Sequence, residues 1–117
     1  MVNEETDVPG RVEAKLRVLL AAMGEARVAA FLNVDQKSLA QLLDDPHQAY
    51  RYAEPIIDAE YVVSRAALVF VGKTIGDWLF GHSVFFCARP IDVLKMDADG
   101  PSKLVVELKR MQQGGYA

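Results

Sequence analysis

The side chains best suited to covalent chemistry in this sequence are Cys87 and His82, with Asp77 and Asp92 nearby in the chain. A thiolate nucleophile, a base and an orienting carboxylate are the groups that nucleophilic catalysis uses. No spacing rule fixes their geometry here, and a lone cysteine in an aromatic run is more often a small buried hydrophobe. We therefore predict no catalytic residue, no cofactor and no enzymatic activity.

A phosphate-binding loop is the second chemical possibility, because Gly72-Lys73-Thr74 has the composition of its end. The pattern G-x4-G-K-[ST] also requires a glycine at position 67, after a strand. Ala67 stands there instead, in a run of helical character, so this site is rejected. A zinc site is excluded too, since one cysteine and two histidines cannot supply ligands at the usual spacing.

Residues 25–45 have the spacing of a helix-turn-helix of the Xre-like group. The order A-x3-N-V-x4-L-x2-L places a small residue, a left-handed turn residue and three apolar residues at Ala29, Asn33, Val34, Leu39 and Leu42. The second helix offers side chains that reach base edges or phosphates: Gln36, Lys37, Ser38 and Gln41. Its flanks are acidic, at Asp35, Asp44 and Asp45, so DNA binding by the free chain stays an open question.

The C-terminal tail, Gly114-Gly115-Tyr116-Ala117, is the last candidate. Two glycines separate it from the preceding predicted helix, and four extended residues reach roughly 13 Å. The tail could deliver an aromatic ring and the terminal carboxylate into a cleft. Composition alone favours the other interpretation, a frayed end without function.

Apolar periodicity predicts that helices position all of these residues, in a small all-α bundle. The first predicted helix starts after Gly10 and ends at Met23. The others occupy residues 25–32, 36–43, 55–70, 73–80, 90–95 and 101 to just before Gly114. The helix at 55–70 is apolar almost all round near its end, which predicts a central position.

Three signals mark the boundaries of these helices. Asn33 fits a left-handed stop, Asp35 an N-cap and Asp44-Asp45-Pro46 a second stop, followed by a polar stretch to Glu54. Residues 83–87 have strand-like composition, but we predict an ordered connection there.

The charge of the chain is divided unevenly along its 117 residues. The whole carries 13 basic and 16 acidic side chains, a net of −3, which excludes a polycationic nucleic-acid binder. Residues 1–60 hold 6 basic and 11 acidic groups, a net of −5, and residues 61–117 hold 7 and 5, a net of +2. A single cysteine and no signal-like or membrane-length apolar run predict a cytoplasmic protein without a membrane partner.

The C-terminal half resembles the Xre/MbcA/ParS toxin-binding domain, found in antitoxins that pair with RES-domain toxins. The residues that carry the resemblance are Trp78-Leu79, Arg89-Pro90-Ile91-Asp92-Val93-Leu94, Gly100, Leu104, Leu108, Met111 and the ending Gly114-Gly115-Tyr116-Ala117. The resemblance spans about residues 55–117, and the helix-turn-helix lies where that family has its Xre-like part. Residues 82–87 are more aromatic than the polar turn usual in the family.

These observations together predict a disordered leader over 1–10, an Xre-like part over 11–54 and a toxin-binding domain over 55–117. The resemblance implies a type II antitoxin that inserts Gly114, Gly115, Tyr116 and Ala117 into the NAD-binding cleft of its toxin, with Arg89 alongside. It implies a homodimer within a larger complex and operator DNA as a further partner. The alternative is a stand-alone helix-turn-helix transcription regulator.

Overall fold

The computed structural model describes residues 4–71 and 74–114, and its regular secondary structure is helical. The helices of these ranges are α1 (Glu4–Met23), α2 (Glu25–Leu32), α3 (Gln36–Asp44), α4 (Pro46–Tyr50), α5 (Ala53–Ala66), α6 (Thr74–Phe80), α7 (Pro90–Met96) and α8 (Gly100–Gln112). The predicted all-α class is confirmed for this part of the chain. No helix within it is long and apolar enough to span a bilayer.

Helix α1 begins earlier than the sequence predicted. The predicted leader, residues 1–10, is helical from Glu4 onward, so the start after Gly10 was wrong. Pro9-Gly10 therefore lies inside α1 and does not mark its boundary. The following turns are anchored because Val12 and Leu16 are buried, and most helical stability in proteins comes from such packing.

One hydrophobic core runs through both predicted parts of the chain. Helix α1 packs against α4 and α5, and α5 in turn packs against α8, which also contacts α7. The largest side chains with almost no exposure include Leu16 and Leu19 of α1, Ile56 of α5, and Leu104 and Leu108 of α8. Burying a leucine or isoleucine contributes about 2 kcal/mol, so this shared interior holds the two halves together.

The turn between α2 and α3 follows the sequence prediction closely. Asn33 has φ 59° and ψ 45°, the left-handed conformation, and its N–H donates to the α2 carbonyls. The Asp35 carboxylate accepts a hydrogen bond of 2.6 Å from the N–H of Ser38, as an N-cap does. Leu39 and Leu42 are buried, which locks α3 against the bundle.

The N-cap of α3 makes a prediction that depends on pH. The backbone N–H of Ser38 lowers the pKa of Asp35 below 3.8, so ionised Asp35 stabilises the folded state at neutral pH. That contribution is lost as pH falls through the folded-state pKa. We expect Asp35→Ala to lower the melting temperature at pH 7 and to differ less from the parent below pH 3.8. Asp35→Asn, which keeps a capping oxygen, should lose less at pH 7, and equal losses would contradict this.

Helix α4 was missed by the sequence analysis, which predicted a polar stretch from residue 46 to Glu54. Asp45 ends α3 and also caps α4, since its carboxylate accepts from the N–H of His47 at 3.0 Å. Pro46 occupies the first helical position, where its lack of an N–H costs nothing. The short helix is held because Ala49 is fully buried against the core.

Helix α5 ends at Ala66 and not at Phe70 as predicted. Its buried side consists of Ile56, Ala59, Val62, Val63 and Ala66. The helix is therefore central, but the face that carries Ile57, Tyr61 and Leu68 is turned outward. An almost uniformly apolar helix gives no periodic signal to say which face is buried.

The C-terminal helices agree with their predicted positions to within one residue. Pro90 is the first residue of α7, and Pro101 is the second of α8, which begins at Gly100. A Cβ atom on Gly100 would collide with the carbonyl oxygen of Val93, so the close packing of α8 on α7 requires glycine here.

Candidate functional site

A tight loop between α6 and α7 projects two apolar side chains from the surface. Ser83 and Ala88 close it with a pair of backbone hydrogen bonds, at 2.9 and 3.3 Å, so the predicted ordered connection is confirmed. At its tip Val84 is 86% exposed and Phe85 is 60% exposed. Exposed apolar side chains grouped in this way are typical of a binding surface.

Two neighbours hold the Phe85 ring in place. The Phe86 ring meets it edge to face at 88°, with centroids 4.9 Å apart. The guanidinium of Arg110, on α8, lies 5.3 Å from the centre of the Phe85 ring. Such contacts contribute about 1 kcal/mol each and reduce the entropy that a mobile ring loses on binding. Phe85 is thus a preordered anchor.

Arg110 is itself oriented by a buried carboxylate. Glu107 is 2% exposed and accepts two hydrogen bonds from Arg110, at 2.7 and 3.1 Å. This forked geometry fixes the plane of the guanidinium and so its place over Phe85. The chain of contacts from Glu107 through Arg110 to Phe85 ties the exposed loop to the core side of α8.

Neutralising Glu107 should weaken this arrangement measurably. We expect Glu107→Gln to lower the free energy of unfolding by about 2 kcal/mol, because one buried charge-assisted pair is broken. Urea unfolding followed by circular dichroism measures the change. Lys109→Gln on the exposed side of α8 is the control and should change stability by less than about 0.5 kcal/mol. Equal effects of the two substitutions would contradict the role given to Glu107.

Two apolar grooves flank Phe85. The first, of about 550 Å³, lies between the ends of α6 and α8 and is lined by Asp77, Trp78, Gly81, His82, Ser83, Val84, Phe85, Arg110 and Met111. The second, of about 580 Å³, lies between α7 and α8 and is lined by Phe85, Phe86, Val93, Asp97, Ser102, Lys103 and Val106. We call Val84, Phe85 and these two grooves the aromatic surface.

The predicted tail begins at Gly114, at the edge of the aromatic surface. Helix α8 ends at Gln112, and the N–H of Gly114 donates to the carbonyl of Met111, a residue of the first groove. Gly114 has φ +85°, a left-handed conformation that favours glycine. Gly115, Tyr116 and Ala117 lie outside the described residues.

Arg89, the other predicted toxin contact, lies outside both grooves. It makes two hydrogen bonds to Asp92, at 2.9 and 3.0 Å, and its guanidinium lies 5.6 Å from the centre of the Phe80 ring. Arg27 approaches the same ring at 5.5 Å. The hydrogen bonds to Asp92 raise the pKa of Arg89 and lower that of Asp92, so the pair stays ionised at neutral pH.

The predicted DNA-contacting residues lie on α3 beside the unpredicted α4. Gln36, Lys37 and Gln41 are exposed and Ser38 is half-buried. A groove of about 410 Å³ separates the two helices and is lined by Ser38, Gln41, Leu42, Asp45, Gln48, Arg51 and Tyr52. Gln48 and Arg51 therefore join the polar surface of α3, a placement that required knowing α4.

The residues considered for catalysis are dispersed. Cys87 is exposed, not buried as its aromatic context favoured, and its φ of +55° reflects the tight loop. His82 and Asp77 line the first groove, whereas Asp92 is paired with Arg89. Within the described ranges no three His, Cys, Asp or Glu side chains form a group that could hold a metal.

Trp78 has both structural and surface roles. Its ring stacks on Phe70 with centroids 5.4 Å apart, packs against the core and also lines the first groove.

Searches with this chain against protein families, curated proteins and solved structures find no match. Function is therefore inferred from the site itself and from the resemblance described above.

Proposed function

We propose that this chain is the antitoxin of a type II toxin–antitoxin system and neutralises a RES-domain, NAD-consuming toxin. The observation that carries the proposal is the aromatic surface, which reaches the end of α8 beside the left-handed Gly114. An apolar surface of this kind favours binding of a protein partner. The tail, Gly114 to Ala117, then enters the toxin's cleft.

The residues that carry the resemblance form one packed unit. Trp78 and Leu79 belong to α6, Arg89 to Leu94 begin α7, and Leu104 and Leu108 are buried on α8. Helix α7 contacts both α6 and α8. A toxin-binding domain requires such a unit to present its chain end, so this packing supports the proposal.

Occlusion requires no chemistry from the antitoxin. A pocket built for an anionic, aromatic dinucleotide should accept the C-terminal carboxylate and the Tyr116 ring, because they resemble its ligand in charge and shape. The tail is short, so its position depends on how the aromatic surface docks. Arg89 would contact the toxin only if the interface extends beyond both grooves.

The proposal predicts that a RES-domain protein is encoded next to this chain, and co-expression of the two proteins tests it. We expect the two proteins to co-elute as one complex in which the toxin no longer consumes NAD. Phe85→Ser should weaken the complex about tenfold or more, since it removes a central aromatic anchor. Failure of the two full-length proteins to associate would refute the proposal.

A stand-alone transcription regulator is the second candidate, favoured by the left-handed Asn33, the capped α3 and its exposed polar residues. Gln36, Lys37, Ser38 and Gln41 would contact operator DNA, and an antitoxin could use the same surface to regulate its own operon. A gel shift with the upstream DNA tests DNA binding, and the co-expression experiment separates the two functions, because only the antitoxin associates with a RES-domain protein. The regulator requires sequence-specific binding by the free chain that weakens with salt. With Lys37 and Arg51 as the cations of this surface, the salt dependence should be shallow.

A further inference from the structure

The outward face of α5 carries an apolar stripe that the proposed function does not use. Ile57 and Tyr61 are each 43% exposed, and Leu68, in the turn after the helix, is 61% exposed. At 100° per residue Ile57 and Tyr61 lie about 40° apart around α5, and Leu68 follows them in the turn after its last residue. Single exposed apolar residues are ordinary, but a stripe along a central helix is a surface suited to another helix.

Charged residues of opposite sign lie along one flank of this stripe at its two ends. Glu54 and Asp58 are near the N-terminus of α5, and Arg65 is in its last turn. Among the described residues none of the three forms an ion pair, although Lys95 faces the two carboxylates across a small cleft. Partial burial and repulsion from Glu54 raise the pKa of Asp58.

The other flank of the stripe is already closed within the chain. Glu60 accepts hydrogen bonds from Lys15 of α1 at 3.0 Å and from Ser64 at 2.8 Å. These bonds lower the pKa of Glu60 despite its partial burial. The carboxylate on this flank is therefore paired within the chain, whereas Glu54, Asp58 and Arg65 on the other flank form no ion pair among the described residues.

Arg65 cannot reach Asp58 or Glu54 along its own helix. The separations are seven and eleven residues, which correspond to about 10 and 16 Å of helix rise. Within its own chain Arg65 instead lies over the Tyr61 ring, 5.4 Å from its centre. If a second copy of α5 lay antiparallel on the stripe, the Arg65 of that copy would lie opposite the gap between Glu54 and Asp58.

We propose that the Ile57–Tyr61–Leu68 stripe of α5 pairs antiparallel with the same stripe of a second copy of this chain. A twofold axis near residues 60 and 61 makes the stripe complementary to itself, as an isologous interface requires. It also matches Arg65 of each copy with Glu54 and Asp58 of the other, twice per dimer. The antiparallel arrangement aligns the helix dipoles favourably. The proposal does not depend on toxin binding, because α5 contributes nothing to the aromatic surface.

Sedimentation velocity of the full chain over about 5 to 500 µM tests the pairing, since a single helix pair is a small interface of modest affinity. We expect a monomer–dimer equilibrium. Tyr61→Ala should raise the dimer dissociation constant about tenfold, because it removes the central ring. Tyr50→Ala, at a 49% exposed tyrosine at the end of α4, is the matched control and should leave the constant unchanged.

A charge reversal gives a second, independent readout. Arg65→Glu should weaken the dimer about tenfold or more by placing like charges opposite each other, and adding Glu54→Arg should recover most of the loss. Both sites are exposed, so circular dichroism should show unchanged folding. A monomer at all concentrations, an insensitive Tyr61→Ala or no rescue by the double reversal would overturn the proposal. Loss of toxin binding by these variants without any dimer of the parent chain would assign the stripe to the toxin instead.

Discussion

Gly100→Ala should destabilise the folded chain by about 3 kcal/mol, although it adds only one methyl group. The added Cβ would collide with the carbonyl oxygen of Val93 and lie 3.0 Å from the Cα of Leu94. Both are backbone atoms of α7, so the clash is relieved only if α7 and α8 separate. Because these helices carry the aromatic surface, binding should weaken together with stability. Urea unfolding measures the change.

Gly10→Ala is the matched control for this prediction. Gly10 also lies within a helix, but a Cβ there meets no atom within 4 Å. Alanine should stabilise α1 by about 0.5 to 1 kcal/mol, because glycine costs more backbone entropy in a helix. Opposite signs of the two effects are the expected result. A neutral or stabilising Gly100→Ala would show that α7 and α8 pack less closely than described.

Removal of Tyr116 and Ala117 should restore NAD consumption to a toxin that the full chain inhibits. Under the proposed function these residues carry the ring and the carboxylate that occupy the cleft. The aromatic surface is left intact, so the shortened chain should still bind the toxin. We expect the concentration needed for half inhibition to rise at least tenfold, corresponding to loss of an anchoring aromatic contact. An NAD-depletion assay and a pull-down, run side by side, separate inhibition from binding.

Point substitutions at Tyr116 separate the contribution of the aromatic ring to inhibition from the contribution of chain length. Tyr116→Phe keeps the ring and should inhibit nearly as well as the parent chain, whereas Tyr116→Ala, which keeps only the carboxylate in place, should inhibit less well than Tyr116→Phe and better than the truncation. If the truncated chain inhibits as well as the full chain, occlusion by the tail is refuted, although toxin binding through the aromatic surface would stand.

Local signals in the sequence were sufficient for the turn between α2 and α3 and for the buried face of α1. The bounds of α2 and the caps of α3 follow from Asn33 and Asp35, because a left-handed stop and an N-cap depend on only a few neighbouring residues. The buried stripe of α1 follows from periodicity, as Val12, Leu16 and Leu19 show. Its start at Glu4 lies before Pro9-Gly10, a pair whose composition alone predicts a helix boundary.

Features that depend on tertiary contacts could not be predicted. Helix α4 has five residues, too few to show periodicity, and it is held by the burial of Ala49. The outward orientation of Ile57 and Tyr61 depends on where α1 and α8 pack against α5. The sequence of α5, apolar on most sides, did not distinguish these faces.

The candidate site was only partly predictable. The aromatic character of residues 83–87 was evident from the sequence. The exposure of the Phe85 ring, however, depends on the Ser83–Ala88 pairing and on Arg110, which is more than twenty residues from Phe85 in the chain. The link from Glu107 to Phe85 had no sequence signal, because an i, i+3 charge pair on a helix is usually exposed. Arg89 was selected by resemblance, and the structure pairs it with Asp92.

The central claim is that this chain blocks a RES-domain toxin, and titration of NAD consumption tests it most directly. Purified toxin is incubated with NAD and increasing amounts of the full chain, and the initial rate of NAD loss is measured. The account predicts that the rate falls linearly to near zero at one chain per toxin. A rate that is unchanged at a large excess of the chain would contradict it.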